Sequence, residues 1–151
     1  MELLESPEAA FQYVSDRRRS AETVGLIPTM GALHRGHLSL VEAANRACDH
    51  SVATIFVNPT QFAPGEDLAK YPRTLEDDLH ALREIGASAV FCPTKDQIYP
   101  AGFSTTVNPP RVAELWEGEF RPVHFEGVAT IVLKLFQLLL SEESVGCGKE
   151  L

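Results

Sequence analysis

The 151-residue sequence contains no apolar run as long as the roughly 20 residues that a membrane-spanning helix needs. Its longest apolar run, Ile131 to Leu140, is interrupted by Lys134 and Gln137, so we interpret it as a buried helix. The N-terminal stretch is acidic and helix-like, and it has neither the basic start nor the continuous apolar core of a secretory signal. We therefore expect no association with a membrane.

The chain also lacks paired cysteines and an excess of basic residues. The three cysteines, Cys48, Cys92 and Cys147, are scattered without a CxxC pair, which argues against a disulfide framework and fits a reducing cytoplasm. The formal net charge is −8, whereas general nucleic-acid binding needs a basic face. An anionic ligand such as ATP remains compatible with this charge, because a few local donors can dominate a small cleft.

Short apolar runs alternate with helical patterns along the chain. The apolar runs predict buried strands at Thr23–Met30, Ser51–Val57 and Ala89–Cys92. Helical spacing predicts helices at Glu5–Ser20, from His37 to about His50, at Thr74–Ile85 and at about Glu126–Leu140. A short extended piece is expected at Thr105–Val107. This order predicts one α/β domain over residues 1–151, a Rossmann-like parallel sheet with helices on both faces.

The first strand-to-helix turn, PTMGALHRGH from Pro28 to His37, carries the strongest chemical signal. Ligands of parallel sheets bind beyond the C-terminal ends of the strands, and a helix start there offers N–H groups and a positive dipole to a phosphate. Gly31 and Gly36 would let the backbone approach a ligand closely. His34 and His37 are three residues apart, so in a helical turn they would share a face and donate hydrogen bonds to a phosphate.

Three other interpretations of this turn carry less weight. The histidines could be polar loop residues without a joint role. A zinc site is weaker, because no third or fourth ligand lies at a recognised spacing, and we predict no protein metal site. The turn does not match GxxxxGK[ST], so it is not a P-loop.

Four strings connect the chain to one family. The turn resembles the HxGH signature of the nucleotidylyltransferase superfamily, whose members attack the α-phosphate of ATP and release pyrophosphate. PTMGALHRGHLSLV, SVATIFVNPTQF, YPRTLEDDL and RPVHFEGVATIVLKLF resemble segments of the pantothenate synthetase family and occur in the same order. The resemblance covers the chain from Val24 to about Leu140. It implies that the chain is the N-terminal, nucleotide-binding portion, truncated before the family's C-terminal lid domain.

The family's activity follows as an expectation. The resemblance implies ATP-dependent condensation of pantoate with β-alanine through a pantoyl adenylate, with release of pyrophosphate and AMP. It also implies a homodimer, and Mg²⁺ held by phosphate oxygens and waters instead of a carboxylate cluster. His37 is the residue usually assigned as the proton donor; we prefer His34 and His37 as donors to the phosphates, since phosphoryl chemistry depends on positioning and charge neutralisation. The residues implied to line the ATP site are Pro28, Thr29, Met30, Gly31, Ala32, Leu33, His34, Arg35, Gly36 and His37.

Residues beyond this turn are assigned by the same resemblance. Gln61 is implied to bind the pantoate hydroxyl near the β-alanine site, and Asn58 and Tyr71 to hold substrate or form the pocket wall. For Asn58 and Gln61 the alternative is turn formation, because Asn-Pro commonly initiates turns, and for Tyr71 the alternative is packing of an aromatic residue before Pro72. Lys149 is set against the lysine of the family's FGEKDxQQ segment, as a ligand of the ATP phosphates. Arg121 and His124 lie in a segment near the second substrate in the family, and His124 could equally be a satisfied helix-entry residue.

Two acidic residues lie in the first turn of the helix predicted at Thr74–Ile85. Asp77 and Asp78 are interpreted as helix-surface and helix N-terminal charges and not as metal ligands, with Thr74 as the capping residue.

Two alternative functions stay open beside the ligase. One is another HxGH nucleotidylyltransferase, which transfers the nucleotidyl group onto a phosphate ester, as phosphopantetheine adenylyltransferase does. The other is a catalytically impaired or inactive nucleotide-binding fragment that only associates with full-length subunits.

Overall fold

A computed structural model describes residues 1–62, 71, 74–109, 124–139 and 143–144. Its described strands are β1 (Glu2–Leu4), β2 (Val24–Ile27), β3 (His50–Thr54), β4 (Ala89–Phe91) and β5 (Glu143–Ser144). Its described helices are α1 (Pro7–Arg19), α2 (Arg35–Ala47), α3 (Leu75–Glu84), α4 (Lys95–Ile98) and α5 (His124–Leu139), with a 3₁₀ turn at Pro59–Gln61. None of these helices is long and apolar enough to cross a membrane.

The strands form one five-stranded sheet in the order β1-β4-β3-β2-β5, and every strand pair is parallel. On one face the core contains buried residues of α1, α4 and α5, among them Val14, Ile98 and Leu135. On the other face it contains buried residues of α2 and α3, including Val41 and Leu82. The predicted α/β fold, with a parallel sheet covered on both faces, is therefore confirmed.

The predicted strands and the four long helices are present, with shorter or shifted ends. The N-terminal stretch differs, because residues 2–4 form the edge strand β1 instead of a helix; Leu4 is buried and pairs with Phe91. A three-residue strand is too short to show a period, so its partner strand decides its conformation. The extended piece expected at Thr105–Val107 is not a strand; the N–H of Val107 donates to Oγ1 of Thr130 on α5 instead (2.9 Å).

The prediction that Thr74 caps α3 is right about its position but wrong about the role of its side chain. Thr74 is the residue at the cap position, but its side chain makes no capping hydrogen bond. Its hydroxyl donates to Oδ2 of Asp78 instead (3.1 Å). The side chain of Thr74 therefore supports a carboxylate on its own helix, whereas Ser6 does cap α1 by accepting from the N–H of Ala9 (3.1 Å).

The segments that follow β2 and β3 lie side by side beyond the C-terminal ends of the strands. The N–H of Phe56 donates to the carbonyl of Thr29 (3.1 Å), which joins the two chain segments just past their strands. The N–H of Ile55 donates to the carbonyl of Phe91, which adds the end of β4 (2.9 Å). This is the edge at which ligands of parallel α/β sheets bind.

Candidate functional site

Two turns occupy this edge. We call Pro28–His37 the histidine turn and Asn58–Gln61 the NPTQ turn. The histidine turn connects β2 to α2, and the NPTQ turn follows β3 and contains the 3₁₀ turn.

The histidine turn begins with a pair of threonines that tie it to β3. Thr54 is 0% exposed, and its Oγ1 accepts from the N–H of Thr29 (3.1 Å). The hydroxyl of Thr29 donates to the carbonyl of Thr54 and accepts from the N–H of Gly31 (3.2 Å). Because the Thr29 side chain is engaged within the protein, its place in the site is to hold the turn.

Asp78 of α3 holds the middle of the histidine turn. Its carboxylate accepts from the N–H of Ala32 (2.9 Å) and from the N–H of Leu33 (2.7 Å), and it is only 4% exposed. The interpretation of Asp78 as a surface charge is therefore wrong, whereas its neighbour Asp77 is exposed as expected. No local pattern marks Asp78, because the amides that it binds lie 45 and 46 residues away.

The two glycines of the turn allow close approach, but to the protein's own groups. Gly31 has a φ of +85°, and a Cβ there would lie 3.0 Å from Oδ2 of Asp78. Ala32 also has a positive φ, +51°, which is uncommon for a residue with a side chain. A Cβ on Gly36 would lie 2.8 Å from Cε1 of His34. The absent side chains leave room for the Asp78 carboxylate and the His34 ring.

His34 and His37 form a reciprocal cap at the start of α2. Their ring centroids are 4.1 Å apart, with planes tilted by 40°. Nδ1 of His34 accepts from the N–H of Gly36 (3.0 Å), and Nδ1 of His37 accepts from the N–H of His34 (3.3 Å). A ring nitrogen that accepts a hydrogen bond carries no proton, so each neutral imidazole carries its proton on Nε2. The expected pairing of the two histidines on one helical turn is thus present, with two Nε2–H groups.

In the NPTQ turn the polar side chain of Asn58 is buried and bonded within the protein, whereas His34 of the histidine turn is exposed. Asn58 is 1% exposed, and its Oδ1 accepts from the hydroxyls of Thr60 (2.9 Å) and Tyr99 (2.8 Å). Its Nδ2 donates to the carbonyl of Gly127 on α5 (3.1 Å). These contacts favour turn formation over substrate binding for Asn58, since its carboxamide oxygen and nitrogen both have partners within the protein. Burial raises the pKa of the Tyr99 hydroxyl. Its hydrogen bonds with Thr60 and Asn58 lower the pKa, but the effect of burial is the larger one.

Helix α5 packs directly on the NPTQ turn. A Cβ on Gly127 would lie 2.5 Å from the carbonyl oxygen of Thr60, so any side chain here would force the helix and the turn apart. Nδ1 of His124 lies 3.2 Å from the carbonyl oxygen of Gln61, within hydrogen-bonding distance. Gln61 itself is 7% exposed. His124 is thus a satisfied residue at the first position of α5 that also contacts the turn carrying Gln61.

The remaining predicted site residues are placed as follows. Tyr71 is half-buried, and its ring packs edge-on against Phe62 at 6.1 Å. Arg35 is exposed at the first position of α2. Lys149 and Arg121 lie outside the described residues. Among the residues that the structure describes, no three His, Cys, Asp or Glu side chains form a group that could hold a metal ion.

Residues 2–149 match the family model described as pantoate-beta-alanine ligase. The chain belongs to the pantoate–β-alanine ligase family. The resemblance found in the four sequence strings is therefore confirmed. Pantothenate synthetase from Rhodopirellula baltica is 53% identical over 154 aligned residues, which cover 100% of this chain and 54% of that protein. The enzyme of the same name from Ruegeria sp. is 59% identical over 121 residues, which cover 80% of this chain and 43% of that protein.

Solved structures of this ligase family share the fold. Pantothenate synthetase from Thermus thermophilus has a TM-score of 0.82 and 45% identity, covering 95% of this chain and 51% of that chain. Pantoate-beta-alanine ligase from Francisella tularensis, complexed with beta-gamma ATP and beta-alanine, has a TM-score of 0.87 and 35% identity, covering 95% of this chain and 55% of that chain. The chain spans about half the length of these relatives.

Proposed function

We propose that the chain supplies the ATP-binding and pantoate-binding part of a pantothenate synthetase, which condenses pantoate with β-alanine and releases pyrophosphate and AMP. The observation that carries the proposal is the pair of imidazoles at the start of α2, whose Nδ1 atoms both accept backbone N–H groups, so that in the neutral rings the protons belong on Nε2. Family membership supports the reaction. The ATP and β-alanine in the Francisella relative support the ligands.

In the proposed first step, a carboxylate oxygen of pantoate attacks the α-phosphorus of ATP, and the bond to the bridging oxygen of the leaving pyrophosphate breaks. Negative charge grows on the phosphate oxygens, and the Nε2–H groups of His34 and His37 stabilise it by donation. Neither histidine has to transfer a proton for this step, so their role is electrostatic. In the second step, the amine of β-alanine attacks the acyl carbon, and AMP leaves.

The histidine turn would contact ATP through different groups along its length. The amides of Ala32 and Leu33 are bound by Asp78, so these two residues would contribute shape instead of donors. Arg35 is exposed beside the histidines and would add attraction for phosphate. The other residues proposed to line the ATP site are Pro28, Thr29, Met30, Gly31, Gly36 and, by resemblance, Lys149.

Gln61 is proposed to bind the pantoate hydroxyl, because an amide can both donate and accept. Tyr71 is proposed to form part of the pocket wall, and Asn58 to hold the NPTQ turn in place for Gln61. Mg²⁺ would arrive with ATP and be held by phosphate oxygens and waters, as is common for this ion. By resemblance, we propose a homodimer in the cytoplasm.

The reaction can be tested by supplying Mg-ATP with pantoate, then adding β-alanine, and following pyrophosphate and AMP. We expect pantoate-dependent pyrophosphate release that is lost in His37→Ala and retained in His80→Ala, which removes an exposed histidine on α3. Release that requires a phosphate ester instead of pantoate would contradict the ligase and favour a nucleotidylyltransferase. Binding of ATP without any turnover would contradict the activity and favour an inactive nucleotide-binding domain.

A further inference from the structure

We infer that Asp78 is a positioning residue of the nucleotide site, which holds the backbone of the histidine turn so that His34 and His37 present their Nε2–H groups. The inference deepens the proposed function of this turn and rests on it. Asp78 touches neither imidazole in the described contacts; it acts through the two amides that precede His34.

The concave side of the histidine turn is occupied by the carboxylate of Asp78. Gly31 and Ala32 have positive φ values of +85° and +51°, and in this turn the N–H groups of Ala32 and Leu33 point to the same side, an arrangement that suits an anion. That concavity is filled from within the protein, because Asp78 binds the N–H groups of Ala32 and Leu33. A third donor, the hydroxyl of Thr74, completes the set on the same carboxylate (3.1 Å).

The amides held by Asp78 are linked through the backbone to the two histidines. Leu33, whose N–H is held at 2.7 Å, is covalently followed by His34. The N–H of His34 donates to Nδ1 of His37, and the ring of His34 accepts from the N–H of Gly36. A shift of the Leu33 backbone therefore displaces both capping bonds together, and these bonds decide which ring nitrogen carries the proton.

A positioning role for Asp78 and a purely electrostatic effect of its carboxylate predict opposite changes in ATP binding. Asp78 is negative, so a purely electrostatic view predicts that its neutralisation strengthens the binding of a polyanion such as ATP. Positioning predicts the opposite sign, because loss of the anchor disorders the donors. Asp77 provides the matched control: it is the adjacent residue, carries the same charge and is exposed.

The experiment compares the wild-type chain with Asp78→Asn and Asp77→Asn. Long-range ¹H–¹⁵N correlation spectra of the histidine rings report the tautomers in mildly alkaline buffer, and calorimetric titration with Mg-ATP gives Kd. We expect the wild type and Asp77→Asn to have the proton on Nε2 of both His34 and His37. In Asp78→Asn we expect mixed tautomers and a Kd raised about tenfold or more, because small misplacements of binding groups are costly.

The inference is overturned if Asp78→Asn keeps both tautomers and binds Mg-ATP as tightly as Asp77→Asn, or more tightly. If Asp78→Asn does not fold, Thr74→Val tests the same anchor, since it removes one donor and leaves the carboxylate on the two amides. We then expect a smaller shift in the same direction, and no change would overturn the inference. Failure of the wild type to bind ATP would sink the proposed function, whereas the tautomers of Asp78→Asn would still test the positioning role.

Discussion

The histidine turn and the NPTQ turn follow neighbouring parallel strands, yet their polar side chains differ in exposure. The first turn leaves a histidine exposed, whereas the second buries its asparagine. At the histidine turn, buried Asp78 and Thr54 satisfy the backbone, and His34 is left exposed. At the NPTQ turn, the polar side chain of Asn58 is itself buried and holds the turn against α5. Position at a strand end therefore does not decide whether a polar residue is available to a ligand; its hydrogen-bond partners do.

This contrast predicts that Asn58 matters chiefly for stability. Replacement of Asn58 by Ala leaves the Tyr99 and Thr60 hydroxyls without their buried acceptor, so we expect the free energy of unfolding to fall by about 3 kcal/mol. Urea denaturation measures this loss. Asn108, also followed by a proline but exposed, is the control, and Asn108→Ala should change the free energy of unfolding by less than about 0.5 kcal/mol. Equal losses in the two variants would remove the distinction between the turns.

Gly127 on α5 and Gly36 on α2 lie against different kinds of neighbour, backbone at the NPTQ turn and a side chain at the histidine turn. Gly127→Ala gains about 1 kcal/mol of helix propensity, but its Cβ meets the rigid backbone of Thr60, so we expect a net loss of about 1–2 kcal/mol. At the histidine turn, the Cβ of Gly36→Ala meets the His34 ring, which can rotate away. We expect that variant to keep its stability and to bind Mg-ATP more weakly. Thermal unfolding and ATP titration of both variants check the signs; a more stable Gly127→Ala would show that α5 can move away from the NPTQ turn.

The smallest expected effect concerns alkaline pH at the NPTQ turn. The pKa of Tyr99 is raised by burial, so between its ordinary value of 10.0 and its folded value the folded state holds a proton that the unfolded state has lost. Stability therefore falls as pH rises through this range. Tyr99→Phe should cost about 1 kcal/mol at neutral pH, and its deficit relative to the wild type should shrink as pH rises.

Urea denaturation from neutral to alkaline pH measures this convergence. The pKa of Cys92, raised by burial to about 11, and the raised pKa of Tyr13 act with the same sign in both proteins, so the difference isolates Tyr99. If the difference in the free energy of unfolding between wild type and Tyr99→Phe stays constant with pH, the pKa of Tyr99 is the same in the folded and unfolded states, which would contradict the prediction.

The sequence predicted the elements that leave a regular pattern. Strand β2, helix α2 and the pairing of His34 with His37 follow from local order, because apolar runs and three-residue spacing are visible along the chain, although α2 begins at Arg35 and not at His37. Strand β1 was missed because Glu2–Leu4 depends on pairing with Ala89–Phe91. Asp78 was missed for the same kind of reason: its partners are backbone amides of a distant turn, and a main-chain N–H has no signature in the sequence.

The most direct test of the central claim is Mg-ATP titration of His34→Asn. Asparagine is among the best N-cap residues, so this variant should keep the start of α2 and unfold within about 0.5 kcal/mol of the wild type. It lacks the Nε2–H of the imidazole, and we therefore expect Kd for Mg-ATP to rise about tenfold or more. An unchanged Kd in a stably folded His34→Asn would contradict the claim that the His34 ring donates to the phosphates.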